Sequence, residues 1–355
     1  MATEVFSLQA DREGAWEAYL AGHARATLFH TLAWRDAVEA AFGHRSHYLY
    51  AERDGRMVGV FPLGQVASRL AGTILVSVPY GIYGGVLADD DQAADALLSA
   101  AMELAGRLGA HWVDIRSAEA LHPALPTIDK YVTFRKALPS DPQQVAMGLP
   151  RKARAAARQA VERHGLRVER GDQHLSAVWS LYSQSMRRLA SPNYPLKFFE
   201  ELLARTPGPS AQSPAAPGHL VQLVLQGERP VAGLVSFFHR GTLMPYFVGC
   251  DERYEKCCPN NLLYLTAMEE AVRLGCREFD FGRSRSDNVG SCHFKHNQGF
   301  EPTPLGYQYF VPAGGRAPDL YPTNPKVQLA RWIWPRLPLA VTRPLGAWLS
   351  KSIPG

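Results

Sequence analysis

Two stretches of this chain, 166 residues apart, repeat each other closely enough to constrain its architecture. Residues 101–115 read AMELAGRLGAHWVDI and residues 267–281 read AMEEAVRLGCREFDF, with eight of the fifteen positions identical. In both copies apolar residues recur at helical spacing: Leu97, Leu98, Ala101, Leu104, Ala105 and Leu108, then Leu262, Leu265, Met268, Ala271, Val272 and Leu274. Gly109 and Gly275 stand where a left-handed residue ends a helix. A short strand is expected directly after each, over 111–116 and 277–282, which makes helix, glycine stop and strand half of a βαβ unit. Upstream of each copy lies a hairpin pattern, 48–52 with 57–63 around Asp54-Gly55, and 220–225 with 231–238. A chain of 355 residues suits two cores. The expected fold class is therefore α/β (α+β), with two homologous halves and mixed central sheets. The expected boundaries are 1–145 and 146–312, followed by a tail over 313–355.

Composition narrows the partners. The first 22 residues carry Glu4, Asp11 and Glu13 and no apolar leader, and no apolar run approaches the roughly 20 residues of a membrane span, so a cytoplasmic protein is expected. Five cysteines, all between Cys250 and Cys292, form neither a disulfide framework nor a C-x-x-C metal pair, so no metal is expected. The net charge of +5 is uneven: residues 148–170 and 316–355 each sum to +5, and the remainder to −5. Two basic patches on a mildly acidic body fit a local anionic partner.

Several motifs then carry a likeness. Phe29-His30-x-x-x-Trp34, Phe61-Pro62-Leu63 and Pro79-Tyr80-x-x-Tyr83-Gly84-Gly85 lie in the first half. Leu149-Pro150-Arg151-Lys152-Ala153-Arg154 opens the second, which continues to Phe279-Asp280-Phe281-Gly282-Arg283-Ser284 and Phe294-Lys295-x-x-x-Gly299-Phe300. Over residues 25–312 the chain resembles the Fem-type transferases, which have two GNAT-like (acetyltransferase-fold) domains, and in particular the FemAB-like proteins that accompany exopolysaccharide and PEP-CTERM sorting systems. The resemblance implies transfer of an acyl or aminoacyl group to an amine, with no bound cofactor. The donor it implies is aminoacyl-tRNA or acyl-CoA, and the acceptor an anionic or lipid-linked envelope precursor. It also implies that Lys295, which matches a functional lysine of Fem relatives, takes part.

Read as chemistry, acyl transfer to an amine needs a proton acceptor, donors for the tetrahedral oxyanion, and positive charge for the leaving group. Asp280 lies between two core-facing phenylalanines on a strand and so points to the opposite face. It is a candidate base, or a structural pin, since Asp114 holds the matching place in the first half. Lys295 can neutralise a phosphate or stabilise an oxyanion. Arg283 opens the polar loop, 283–291, that comes before Lys295, and His293 and His296 flank the lysine as proton carriers. Arg151, Arg154 and Arg158 are spaced to form one stripe on a helix over 150–164, either an anion-binding row or a solvated face. That stripe has no interleaved aromatics for stacking nucleic-acid bases. Tyr80 and Tyr83, beside paired glycines, mark a candidate acceptor groove. The loops equivalent to a CoA pyrophosphate cradle are unusual. Ala88-Asp89-Asp90-Asp91 is acidic, and Glu255-Lys256-Cys257-Cys258-Pro259 lacks glycine, which favours a Fem-like donor over acetyl-CoA.

The tail interleaves Trp332, Trp334 and Trp348 with Arg331, Arg336, Arg343 and Lys351, a composition suited to an anionic membrane face, while Pro335, Pro338 and Pro344 interrupt any long helix. The expected alternatives for it are packing on the first half or peripheral membrane contact. The expected function is an N-acyl- or aminoacyltransferase of envelope or exopolysaccharide assembly. The alternative is a non-catalytic tandem-GNAT adaptor at a membrane-associated complex.

Overall fold

The computed structural model describes residues 3–68, 72–209, 216–317, 325–353 and 355. Residues 210–215, within a stretch (207–218) whose Pro, Ala and Ser content reads as a surface loop, and 318–324 of the tail lie outside the described residues. The chain forms two compact units. The first comprises 1–129, 305–322 and 348–355; the second comprises 130–304 and 323–347.

The first unit contains β1 (Glu4–Ser7), α1 (Glu13–Gly22), α2 (Leu32–Phe42), β2 (Arg45–Ser46), β3 (Leu49–Arg53), β4 (Arg56–Phe61), β5 (Gly64–Ser68), β6 (Gly72–Val76), β7 (Leu87–Ala88), α3 (Asp91–Arg107) and β8 (Val113–Ile115). One sheet runs β1-β3-β4-β7, and β3 and β4 form the expected hairpin. Helix α3 packs its Ala93, Leu97, Leu98, Ala101 and Ala105 stripe inward, and Gly109 closes it at φ 61°. The acidic loop before α3 is internally satisfied. Asp90 caps the helix by accepting from the Ala93 amide at 2.9 Å and is ion-paired with Arg53 at 2.7 Å.

The second unit begins with β9 (Tyr131–Ala137). It continues through α4 (Arg151–Glu162), β10 (Leu166–Arg170), α5 (Leu175–Arg188), α6 (Leu196–Arg205), β11 (Gly218–Gln226), β12 (Arg229–His239), β13 (Thr242–Cys250), α7 (Pro259–Arg273), β14 (Glu278–Asp280), β15 (Ser284–Arg285), α8 (Val289–Asn297) and β16 (Pro302–Pro304). Its mixed sheet runs β10-β11-β12-β13-β14-β9-β15, with β16 on the other edge of β9. Helix α5 lies so close on β13 that a Cβ on Gly249 would sit 2.1 Å from the Tyr182 amide nitrogen. Backbone cannot yield there as a side chain can, so Gly249→Ala is expected to destabilise this unit by about 3 kcal/mol, measured by urea unfolding.

The last elements are β17 (Gln308–Phe310), α9 (Pro325–Ile333) and α10 (Leu339–Ser350). β17 returns to the first unit and pairs antiparallel with β8, completing the sheet β17-β8-β6-β5-β2. This moves the expected boundary at 145. β9 had been placed with the first half, but its backbone pairs with β14 and β16, both in the second unit. Likewise the tail is not a separate piece. In the second unit Arg187 donates to the Leu337 carbonyl at 3.2 Å, and Arg343 donates to the Ser180 hydroxyl at 2.5 Å. In the first unit the carbonyls of Ser350 and Gly355 accept from Tyr80 and Arg116, at 3.0 and 2.9 Å.

Candidate active site

The two units treat their repeated strands differently. In the first, β6 runs parallel to β8 and stops where the pairing stops, with Val76 opposite Asp114. In the second, β13 runs parallel to β14 through only Thr242 and Leu243, then continues seven residues to Cys250 without it. Parallel strands that part in this way open a wedge at their carboxyl ends, where open α/β sheets bind ligands. Helix α7, which joins the two strands, starts behind a left-handed Cys258 with Pro259 in its first turn and no side-chain cap.

Beside the wedge the chain bulges. β14 and β15 pair with the same edge of β9, Asp280 opposite Arg135 and Ser284 opposite Val132, and the intervening Phe281–Arg283 segment kinks at Gly282, φ 66°. Two side chains hold this kink from its two polar sides. Asp280, wholly buried, accepts from the Gly282 amide at 2.7 Å, from Thr133 Oγ1 at 3.1 Å and from Arg135 Nε at 2.9 Å. Lys295, from the last turn of α8, donates to the carbonyls of Phe281 at 3.0 Å and Gly282 at 3.1 Å. Its ammonium also lies 5.1 Å from the Phe134 ring centre and 5.6 Å from that of Phe281. Burial pushes the Lys295 pKa down to about 8, against the opposing pull of Asp280 and Cys292.

The structure thus brings Lys295 and Asp280 together on one peptide segment. Lysine has three N–H donors and two go to carbonyls here, leaving one for an incoming group. Asp280 is wholly buried and accepts from the Gly282 amide, Thr133 and Arg135, an arrangement suited to holding the bulge. Arg283, half-buried, lies over the Tyr131 ring at 4.5 Å. His293 is exposed on α8 and contacts Asn297 at 3.4 Å, and His296 meets Glu301 at 3.3 Å. Arg151 and Arg158 are exposed on α4, where Arg158 faces Glu162 at 3.6 Å, and Arg154 reaches the Met147 sulfur at 3.7 Å. The buried stripe of α4 is Ala153, Ala157 and Ala160, so its arginines form the outer face.

Tyr80 and Tyr83 are a correction, because both are buried in the first unit and do not line an acceptor groove. Tyr80 stacks on Phe42 at 4.0 Å and donates to the Ser350 carbonyl; it accepts from His44 Nε2 at 2.7 Å. Burial lowers the His44 pKa to about 4, which keeps that ring neutral, and because Tyr80 gives its hydroxyl proton to Ser350 the ring proton sits on Nε2. The close approaches allowed by Gly84 and Gly85 are used by the chain's own Val78 and Ser117. The turn carrying these residues has Val78 and Tyr80 at positive φ, and its carbonyls are tied down one by one: Pro79 by Trp34, Gly81 by Arg116, Ile82 by Tyr307, Tyr83 by Thr27 and Gly85 by His30. The early Phe29-His30-x-x-x-Trp34 motif is therefore a clamp for this turn. A cavity of about 740 Å³ in the same unit, lined by Leu98, Met102, Leu125, Tyr309 and Phe310 among others, contains none of the candidate site residues named from the sequence.

Sequence reasoning missed Thr133 and Arg135. Their signal is the alternation in Val132-Thr133-Phe134-Arg135, which places both on the face opposite Phe134, but nothing local links them to a strand almost 150 residues later.

A family model described as an acetyltransferase (GNAT) domain matches residues 149–296, the segment that holds the wedge, the bulge and Lys295. The solved structure of FemX superposes with a TM-score of 0.64 at 15% identity, over 87% of this chain and 97% of that one. The fold is a tandem GNAT fold. A tandem GNAT protein from the clavulanic acid biosynthesis pathway shares it, with a TM-score of 0.55 at 14% identity, over 86% and 97% of the two chains. So does L-PGS from Bacillus licheniformis, with 0.51 at 12%, over 92% and 96%. No curated protein sequence matches the chain. In the tandem GNAT frame, β13, α7 and β14 are the strand–helix–strand of the second domain, and β6, α3 and β8 their partial counterpart in the first.

Proposed function

We propose that this protein transfers an acyl or aminoacyl group to an amine at the wedge of its second domain. The observation that carries the reading is the Lys295 ammonium, buried on the bulge next to the point where β13 and β14 part. An acyl carbonyl lying in the wedge acquires negative charge as the amine adds, and the remaining N–H of Lys295 stabilises it. The amine arrives neutral or loses its proton to solvent or to a flanking histidine, and the leaving group departs with the electron pair of the broken bond. Asp280 acts by fixing the bulge that carries the lysine.

The envelope setting is supported by the motifs shared with Fem-type proteins and by the fold likeness to FemX and L-PGS. On that reading the donor is aminoacyl-tRNA or acyl-CoA. The acceptor is an amine on an anionic or lipid-linked precursor for envelope or exopolysaccharide assembly, met at the inner membrane face. The exposed arginines of α4 supply charge for a phosphate-bearing partner. The test is a screen of acyl-CoA and charged tRNA donors, with an amine acceptor library, run in parallel on Lys295→Ala. Donor turnover that needs Lys295 supports the reading; turnover indifferent to it removes the site.

The reading fixes a pH dependence. Lys295 must be charged to stabilise an oxyanion, and its folded pKa of about 8 lies below the ordinary lysine value of 10.5. Transfer at saturating acceptor is expected to decline above about pH 8, approaching tenfold per unit, as shown by a kcat–pH profile. The stability effect has the opposite sense. Between the folded and unfolded values the unfolded chain binds the extra proton, so this group adds stability as pH rises through that window.

One observation favours a second reading. The hydrogen bonds of Lys295 to Phe281 and Gly282 both go to backbone carbonyls, which also suits a purely structural clamp in a non-catalytic adaptor. The donor screen separates the two.

A further inference from the structure

Helix α10 is docked inside out. Its buried positions are Thr342, Gly346 and Ser350, small or polar and spaced four apart, whereas Val341, Leu345 and Trp348 stand outward at i, i+4 and i+7, 37–50% exposed. The inward face is small because the fit requires it: a Cβ on Gly346 would lie 2.4 Å from Asn193 Oδ1, and the Asn193 amide donates to the Arg343 carbonyl at 3.3 Å. The helix is therefore held by its polar side and presents its apolar side to solvent. Helix α9 also leaves apolar residues outside, Leu329, Trp332 and Ile333, while Trp334 anchors the corner that follows. The Arg336 guanidinium lies 3.9 Å from the Trp332 ring centre.

The charges around these residues say what covers them. Residues 325–355 contain five Lys/Arg and no Asp or Glu. Of these, Arg331, Arg336 and Lys351 are exposed, and Arg343 is spent on Ser180 and the Trp179 ring. Exposed tryptophan and leucine among cations, with no acid in the same stretch of chain, match a bilayer interface rich in anionic headgroups, where aromatic rings sit at headgroup depth and arginines reach phosphate. No helix among the described residues is long and apolar enough to cross a membrane, and α10 at twelve residues is far short of a span, so the contact is in-plane.

We propose that the outward stripe of α10 is a docking surface for an anionic phospholipid bilayer. The inference stands apart from the chemistry at Lys295 and is tested without an activity assay. Full-length protein is sedimented with vesicles of phosphatidylglycerol and phosphatidylcholine, and with phosphatidylcholine alone, at two salt concentrations. Two variants are compared with wild type: Leu345→Ser with Trp348→Ser, and Arg331→Gln with Arg336→Gln. Wild type is expected to partition onto the anionic vesicles and release with salt, with about a hundredfold loss for the serine variant, since two apolar side chains no longer enter the bilayer. The glutamine variant is expected to lose the preference for anionic lipid. Circular dichroism and unfolding curves show that the serine variant is folded. If wild type stays in the supernatant, or if the folded serine variant binds as well as wild type, the proposal fails. It also fails if wild type is a dimer by light scattering and the serine variant a monomer, because the stripe then covers a second copy.

Discussion

Replacing Lys295 with alanine is expected to lower kcat/KM for amine acylation by about 10²–10³, the range seen when one oxyanion donor is removed. The fall should appear in kcat and leave KM nearly unchanged, because the ammonium interacts more strongly with the charged intermediate than with the neutral carbonyl. A structural effect accompanies it. The carbonyls of Phe281 and Gly282 lose their donor, a cost of about 1–3 kcal/mol for each group left buried without a partner, partly offset because a desolvated charge also disappears. The kinetics are therefore compared at a temperature where the unfolding curve shows the variant folded. A folded variant as active as wild type would take Lys295 out of the chemistry and leave it as a brace for the bulge.

Asp280→Ala is expected to lower the unfolding free energy by about 3 kcal/mol, read from chemical denaturation. Breaking a buried, hydrogen-bonded ion pair costs about 3–5 kcal/mol, and the lower end applies because the Arg135 side chain is 37% exposed and can regain water. The loss includes the hydrogen bonds from the Gly282 amide and the Thr133 hydroxyl. Asp280→Asn separates positioning from proton transfer. An asparagine oxygen can still accept from Gly282, so a positioning residue predicts that Asn restores much of the transfer rate that Ala removes. A general base predicts that Asn and Ala are equally inactive. Equal loss would return Asp280 to the chemistry.

How much of this was visible in the sequence depended on distance along the chain. The helix–glycine–strand repeat was visible because its periodicity, left-handed glycines and following strands are local, and α3 and α7 close at Gly109 and Gly275 as the pattern requires. The hairpins β3–β4 and β11–β12 were visible for the same reason. β9 and β17 were assigned to the wrong neighbours or missed, because a three-residue strand such as Gln308–Phe310 has no period of its own and its pairing is decided by an edge left open elsewhere. At the site, Lys295 and Asp280 were visible as motif residues. Their mutual arrangement was not, since it depends on a kink at Gly282 and on Thr133 and Arg135 from a distant strand. Tyr80 and Tyr83 show the reverse error. Glycine-flanked tyrosines look like a binding surface, but these glycines admit Val78 and Ser117 and the rings are core.

The return of β17 to β8 has a bearing on how the protein is made. On the ribosome, residues 131–304 emerge before 308–310, so every strand of the second sheet is available while β8 still lacks its outer neighbour. The N-terminal sheet, begun first, is the last to be sealed, and until then it exposes an open edge that a chaperone must guard or a neighbouring nascent chain can invade.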